Sequence, residues 1–194
     1  MNNHILFDKL TAGIASATVG KFFSEHIESP GYKEFLEDTT VSAPSLEESI
    51  HEVEAKTSVG KMDPAYYVAQ WKGQGYPTII YHHGNNERPF DFSRFAKNSF
   101  KNIFMDSNDP IDANLIAIRA AFHKASLKDY QKKMKNLSNF VGMLSVSVKL
   151  VEEIINRLKD QGIAPVLVSG ISLGGWVTNL HRAYYNTADA YVPL

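Results

Sequence analysis

The chain has 194 residues and a formal charge of −1, from 20 Lys+Arg against 21 Asp+Glu. Apolar residues make up 44% and charged residues 21%, which suits an ordered domain and excludes a disordered one; the near-neutral balance lacks the basic face that nucleic acid selects. No cysteine is present, which removes disulfides, thiolate metal sites and a cysteine nucleophile together.

The N-terminus has no basic leader, and Asp8 and Lys9 interrupt its apolar run, so no export signal is read and a cytoplasmic setting is expected. Ile5, Leu6, Leu10, Ile14, Phe22, Phe23 and Ile27 predict an N-terminal amphipathic helix, which Pro30-Gly31 ends. Residues 31–48 are irregular and acidic and read as a linker or a short helix. An edge strand is expected over 50–55, and a firmer one over 65–71. Lys72-Gly73 and Gln74-Gly75 turn the chain into a third strand over 76–82, whose centre Thr78-Ile79-Ile80-Tyr81 suits burial on both faces.

Beyond that strand, Phe92, Phe95, Ala96, Phe100, Ile103 and Phe104 recur at helical spacing and predict a helix over 90–105. A loop carrying Asn108-Asp109-Pro110 leads to a buried strand over 114–119. Residues 128–160 read as helix with a break near 136–142, and Gln161-Gly162 stops it. Pro165-Val166-Leu167-Val168 is another buried strand, 174–186 a helix, and 190–192 the start of one more strand. The longest stretch without charge, 162–180, contains Pro165 and four glycines, so it is not a membrane span. Repeated strand–helix–strand units predict an α/β fold, a mainly parallel sheet with helices on both faces.

Two turns carry the chemistry. Gly170-Ile171-Ser172-Leu173-Gly174 lies between a buried strand and a helix, the setting in which a strained turn lifts a serine hydroxyl out of the sheet edge. Glycine is required two positions either side, because side chains there would meet the neighbouring strand and helix. His82-His83-Gly84-Asn85 follows another buried strand at the same edge. Its backbone can offer the Asn85 N–H to an oxyanion, beside the N–H of Leu173. His83 and Gly84 are candidate lining residues, as is His123 after the 114–119 strand. The histidines show no metal-ligand spacing, and no metal or cofactor is expected. The run Lys128, Lys132, Lys133 and Lys135 reads as the solvated face of a helix.

From about residue 49 onward the chain resembles the α/β-hydrolase superfamily, on the strength of His83-Gly84-Asn85 and Gly170-Ile171-Ser172-Leu173-Gly174 in that order. The resemblance implies a serine nucleophile, an acid and a histidine, in that chain order, acting on esters, amides or thioesters. Ser172 carries over as nucleophile, with Leu173 and Asn85 as backbone oxyanion donors. The acid and histidine do not carry over. Only His181 and Asp189 follow Ser172: the first lies nine positions along the helix that leads away, and the second falls at the wrong edge of a parallel sheet.

The expectation is therefore residues 1–48 as helix and linker, and 49–194 as an incomplete hydrolase-like domain that lacks the C-terminal strands. Its parent fold would hydrolyse a small-molecule acyl ester, with no nucleic-acid or membrane partner. The other reading is a non-catalytic module of the same fold that binds a ligand or partner. In either case the sheet edge left bare invites a second copy or a partner chain.

Overall fold

The computed structural model describes residues 22–42, 45–106 and 109–194. Thirteen regular elements plus one π-helical turn follow in chain order: α1 (Tyr32–Asp38), β1 (Thr40–Val41), β2 (Ile50–Glu52), β3 (Ala55–Thr57), β4 (Gly60–Met62), β5 (Ala65–Gln70), β6 (Thr78–His82), the π-turn (Lys101–Met105), β7 (Asn114–Arg119), α2 (Leu127–Lys133), α3 (Leu137–Asp160), β8 (Val166–Gly170), α4 (Leu173–Tyr184) and β9 (Ala190–Pro193). Six strands form the main sheet in the order β2-β5-β7-β6-β8-β9. The run β7-β6-β8-β9 is parallel, while β2 and β5 join antiparallel, so the sheet is mainly parallel as its sequence implies. A small antiparallel sheet, β1-β3-β4, sits apart from it.

The strands are buried on both faces because their residues are apolar without interruption. Ile80, Ile116, Ile118 and Val168 face one side, where α3 and α4 supply Val146, Leu150, Ile154 and Val177. Tyr81, Leu115 and Ala117 face the other, against Phe90, Phe92, Phe100 and Phe104. That second face departs from the expected helix over 90–105. Asn98 donates from its carboxamide to the carbonyls of Pro89 and Asp91, and the Arg88 N–H reaches Lys97 O, so 88–98 closes as a loop. The aromatic residues pack as expected, but only 99–105 is helical, most of it as the π-turn at 101–105.

Three other expectations are corrected in detail. The N-terminal helix lies mostly outside the described residues, and its end at 22–27 is not helical. Phe23 has φ 56°, and the N–H groups of Phe23 and Glu25 donate to Met134 and Lys135 carbonyls. This attachment falls on the break between α2 and α3, which lies at 134–136 and so begins just before the predicted one. The strand expected over 50–55 divides instead: β2 ends at Glu52, and Ala55 opens a separate hairpin. Residues 31–48 contain the short helix α1, which packs on α3 through Phe35 and Leu36. No helix among the described residues is long and apolar enough to cross a membrane.

The N-terminal edge of the parallel strands is tied by one side chain. Asn114, fully buried, accepts the Lys72 and Gly73 N–H groups at Oδ1 (2.7 and 3.2 Å) and donates from Nδ2 to Gly73 O and Thr78 Oγ1. Replacing it with alanine orphans several buried groups at once, each costing about 1–3 kcal/mol. Asn114→Ala is expected to lower stability by about 2–4 kcal/mol. In a urea titration the midpoint falls while the slope is unchanged; an unaltered midpoint would show that the turn holds without this residue.

Candidate functional site

Ser172 closes β8 and opens α4 with φ 54° and ψ −108°, a conformation costly for a residue with a Cβ. The glycines around it are required by contact. A Cβ on Gly170 would lie 2.5 Å from the Gly174 carbonyl carbon, and one on Gly174 would lie 2.0 Å from His82 O. A Cβ on Gly175 would come within 2.8 Å of Leu194 O. The helix therefore starts as close to the end of β6 as backbone allows. The ladder between β8 and β9 continues into the turn: the Ser172 N–H donates to Leu194 O (2.8 Å) and the Leu194 N–H to Gly170 O (2.9 Å).

Ser172 itself is exposed, and no described residue hydrogen-bonds its hydroxyl. Leu173 is the first residue of α4, so its N–H has no acceptor within the helix. The positive end of the helix dipole adds to that donor. Strain is concentrated at this edge. Asn86, Phe122 and Ser172 all have positive φ, and they sit in the loops after β6, β7 and β8.

The turn after β6 is held by named partners. Glu87 accepts the Gly84 N–H at Oε1 (3.2 Å), and its Oε2 accepts both the N–H and the hydroxyl of Ser99 (2.9 and 2.5 Å). The Gly84 N–H is thus committed, whereas no described acceptor takes the Asn85 N–H. From the other side the Tyr130 hydroxyl donates to Asn85 Oδ1 (2.6 Å). The Asn85 and Leu173 N–H groups follow the adjacent strands β6 and β8 at the same sheet edge, where His82 and Gly170 are level.

The histidines of this edge are braces. His83 is fully buried; its Nε2 accepts the Ala120 N–H (3.1 Å), so its Nδ1–H donates to Gly84 O (2.6 Å) and the ring is neutral. His82, also buried, donates from Nδ1 to His83 O and lies 3.1 Å from Ser147 Oγ through Nε2. His123 donates from Nδ1 to Ala121 O, packs edge-on against His83 and leans on Tyr130, and its Nε2 has no partner. Burial drives His82 and His123 down to about 4 and His83 well below the ordinary imidazole range. His123 thus lines the site beside His83 and Gly84 but is not hydrogen-bonded to Ser172.

His181 and Asp189 are used elsewhere. His181 is fully buried, its Nε2 3.0 Å from Glu152 Oε2 and its Nδ1 3.1 Å from the Tyr191 hydroxyl. Thr187 donates to the same Glu152 oxygen, and these bonds hold the Glu152 carboxyl below the usual range despite its burial. The sequence gives little sign of this cluster, because its members come from α3, α4 and β9. Asp189 accepts the Val166 N–H (2.7 Å) at the opposite end of β8 from Ser172. No group of three or more acidic or histidine side chains among the described residues could hold a metal ion.

No protein-family model matches the sequence, and no curated protein does. Solved structures similar to it in fold include several esterases and a homoserine O-acetyltransferase from Staphylococcus aureus. The thermophilic carboxylesterase EstE1, cloned from a metagenomic library, is 16% identical, with 75% of this chain aligned to 45% of that one at a TM-score of 0.39. Acetyl xylan esterase 1 from Thermoanaerobacterium sp. JW/SL YS485 is 12% identical, with 89% aligned to 60% at a TM-score of 0.46. Brefeldin A esterase, a bacterial homologue of human hormone sensitive lipase, is 12% identical, with 87% aligned to 42% at a TM-score of 0.43. The chain thus spans about half the length of the esterases it matches. At these scores the site reading rests on the turn geometry above.

Two outcomes are expected. Glycine tolerates φ 54° without strain, and Ser172 makes no capping bond that its loss would remove. Ser172→Gly is therefore expected to stabilise the fold by ~1 kcal/mol after its greater unfolded-state entropy is counted, while Ser172→Ala stays within about 0.5 kcal/mol of the parent. Thermal melts of the three proteins decide, and a glycine variant less stable than the alanine one would remove the strain argument. The second concerns pH. The unfolded chain protonates its histidines near 6.5 while the buried rings stay neutral to about 4, so their stabilising share is whole above pH 6.5. It falls as pH drops from 6.5 toward 4, by about 1.4 kcal/mol per pH unit for each ring. His123→Asn should flatten that slope in urea titrations; an unchanged slope would count against the buried ring.

Proposed function

We propose that Ser172 is the nucleophile of a serine-hydrolase-type acyl transfer, with carboxylester hydrolysis as the expected reaction. The observation that carries this reading is the strained, exposed serine beside the uncommitted N–H groups of Leu173 and Asn85. In the proposed first step Ser172 Oγ bonds to the acyl carbon as its proton passes to a base, and the carbonyl oxygen becomes an anion between the two donors. Collapse expels the alkoxide, which takes up that proton, and water then releases the acid from the acyl-enzyme by the same route.

The base is a separate matter. His26, His51, His82, His83, His123 and His181 are all placed, and none hydrogen-bonds Ser172. None of these six supplies the base, and the proposed chemistry needs a histidine oriented by an acid in that role. That same absence favours a second reading, a non-catalytic module in which the strained turn and the edge strand β9 bind a ligand or a partner chain. Val192 and Leu194, both exposed, would then form part of the contact.

A fluorophosphonate probe separates the two. Its phosphorus bonds to an activated serine oxygen with loss of fluoride, so mass spectrometry of the labelled chain should place the adduct on Ser172. The adduct should disappear in Ser172→Ala. No adduct after prolonged exposure, or one that persists in the alanine variant, would leave the binding-module reading standing.

A further inference from the structure

A cavity of about 420 Å³ opens at the sheet edge that carries Ser172, beside the end of β7. Arg88, Phe90, Arg119, His123 and Lys124 line it. β7 and β8 flank β6 in parallel register, with Ile118 and Gly170 both level with His82. Two strand spacings thus separate the cavity wall from the serine turn, about 10 Å. A smaller space of about 130 Å³ shares Arg88 and His123 with this cavity and extends to Asn86 and Tyr130. Tyr130 is the residue that holds Asn85. The two spaces therefore form a path from β7 to the turn that offers the Asn85 N–H.

The wall is cationic and incompletely paired. Arg119 is 6% exposed; its two terminal nitrogens grip Glu52 at 3.2 and 2.7 Å, and its guanidinium lies 5.3 Å from the Phe90 ring centre. Its Nε–H is buried without a partner, whereas the unpartnered His123 Nε2 in the same wall is an acceptor, because Nδ1 carries the proton donated to Ala121 O. Lys124 shares Glu52, at 3.3 Å. Asp91, the one carboxylate of the lining, accepts the Ser93 N–H. Arg88 contributes a guanidinium close enough to Asp91 to act on its carboxylate electrostatically. Around the larger cavity three cations face Glu52 and Asp91, while Glu87 lines the adjoining space, so the recognition rests on the local geometry of Arg88 and of the unpaired Arg119 Nε–H and not on a net charge of the whole path. Buried polar atoms left unpaired at a cavity wall mark a place where a bound group completes the bonding.

We propose that this cavity is a subsite for a single carboxylate group, carried by the substrate about 10 Å from the carbon that Ser172 attacks. Arg88 forms the outer contact and Arg119 supplies the inner charge. The substrate class is then an ester whose acyl or alcohol part ends in a carboxylic acid. The proposal rests on the nucleophile reading for the link to Ser172, while the cavity's affinity for carboxylate does not depend on it.

Glutarate, a flexible five-carbon dicarboxylate, is the probe, with 1,5-pentanediol as its neutral counterpart. Titration of the 15N-labelled chain in low salt, followed through arginine Nε–H and backbone signals, is expected to give saturable millimolar shifts at Arg88, Arg119 and His123. Pentanediol should give none. Arg88→Gln, an exposed substitution that leaves the fold intact, should weaken binding at least tenfold, and Ser172→Ala should leave it unchanged. Equal shifts from both probes, no saturation, or binding indifferent to Arg88→Gln would overturn the subsite. A second arm compares fluorophosphonates bearing a carboxylate or a methyl ester at the end of a 10 Å tail. Faster Ser172 labelling by the carboxylate form joins subsite and nucleophile. Glutarate binding without any labelling retains the subsite and rejects the nucleophile. Equal labelling by both forms rejects their connection.

Discussion

The approach of α4 to the end of β6 is the constraint around which this site is built. Only a hydrogen fits where a Cβ on Gly174 would stand 2.0 Å from the His82 carbonyl oxygen, and the Gly170 position is blocked in the same way by Gly174. Because the backbones touch, the residue between the two glycines is driven to φ 54° and its side chain is carried outward. The next N–H then points out of the helix start with no acceptor of its own. Strain, exposure and the free donor are thus consequences of one packing contact. The Leu194 carbonyl completes the arrangement: it accepts the Ser172 N–H, while the carbonyl of the same peptide, Ile171 O, accepts the Gly174 N–H.

The same contact explains why three imidazoles lie next to a reactive-looking serine without serving it. His82 and His83 end the strand that α4 presses against, so their rings are enclosed on all sides. An enclosed imidazole is held neutral, and His83 spends both nitrogens on neighbours by joining the loops after β6 and β7, while His123 bonds through Nδ1 alone. A general base needs a basic nitrogen directed at the hydroxyl, and burial takes that basicity from all three rings. What the histidines contribute is rigidity at the Gly84–Asn85 turn, where Glu87 and Tyr130 act from opposite sides.

Much of this was legible in the residues, and the parts that were not share a cause. Unbroken β-branched runs fixed β6 and β7 within a residue or two, since buried parallel strands have no polar face to confuse the pattern. The serine turn was legible because its glycines are demanded by backbone contact, which no other residue can satisfy. The segment 90–105 misled for the opposite reason: aromatic spacing that suits a helix also suits a loop folded over a sheet, and Asn98, bonding to carbonyls seven and nine residues earlier, decides between them. The bracing roles of His83 and Glu152 depend on Ala120 and His181, partners 37 and 29 residues away that no local pattern predicts. Arg119 is a further instance, its side chain fixed by Glu52 across 67 residues.

The division of work at the edge follows from what local packing can and cannot supply. Backbone donors and a strained turn come from contacts between adjacent strands and one helix, all present here. A base and its acid have to reach over that edge from elements that start elsewhere, and His181 and Asp189 face other tasks. Placement and oxyanion donors without a complete triad still give about 10³–10⁴-fold over water in hydrolases where this has been dissected, roughly 4–5 kcal/mol of barrier. On the proposed reading, these residues hold the part of the machine that costs strain to build. A preorganised turn is useful only while it stays rigid, which is why its supports (His83 and Glu87 in the loop after β6, Tyr130 in α2 and the Leu194 carbonyl) are drawn from three different segments and no single one bears the whole strain.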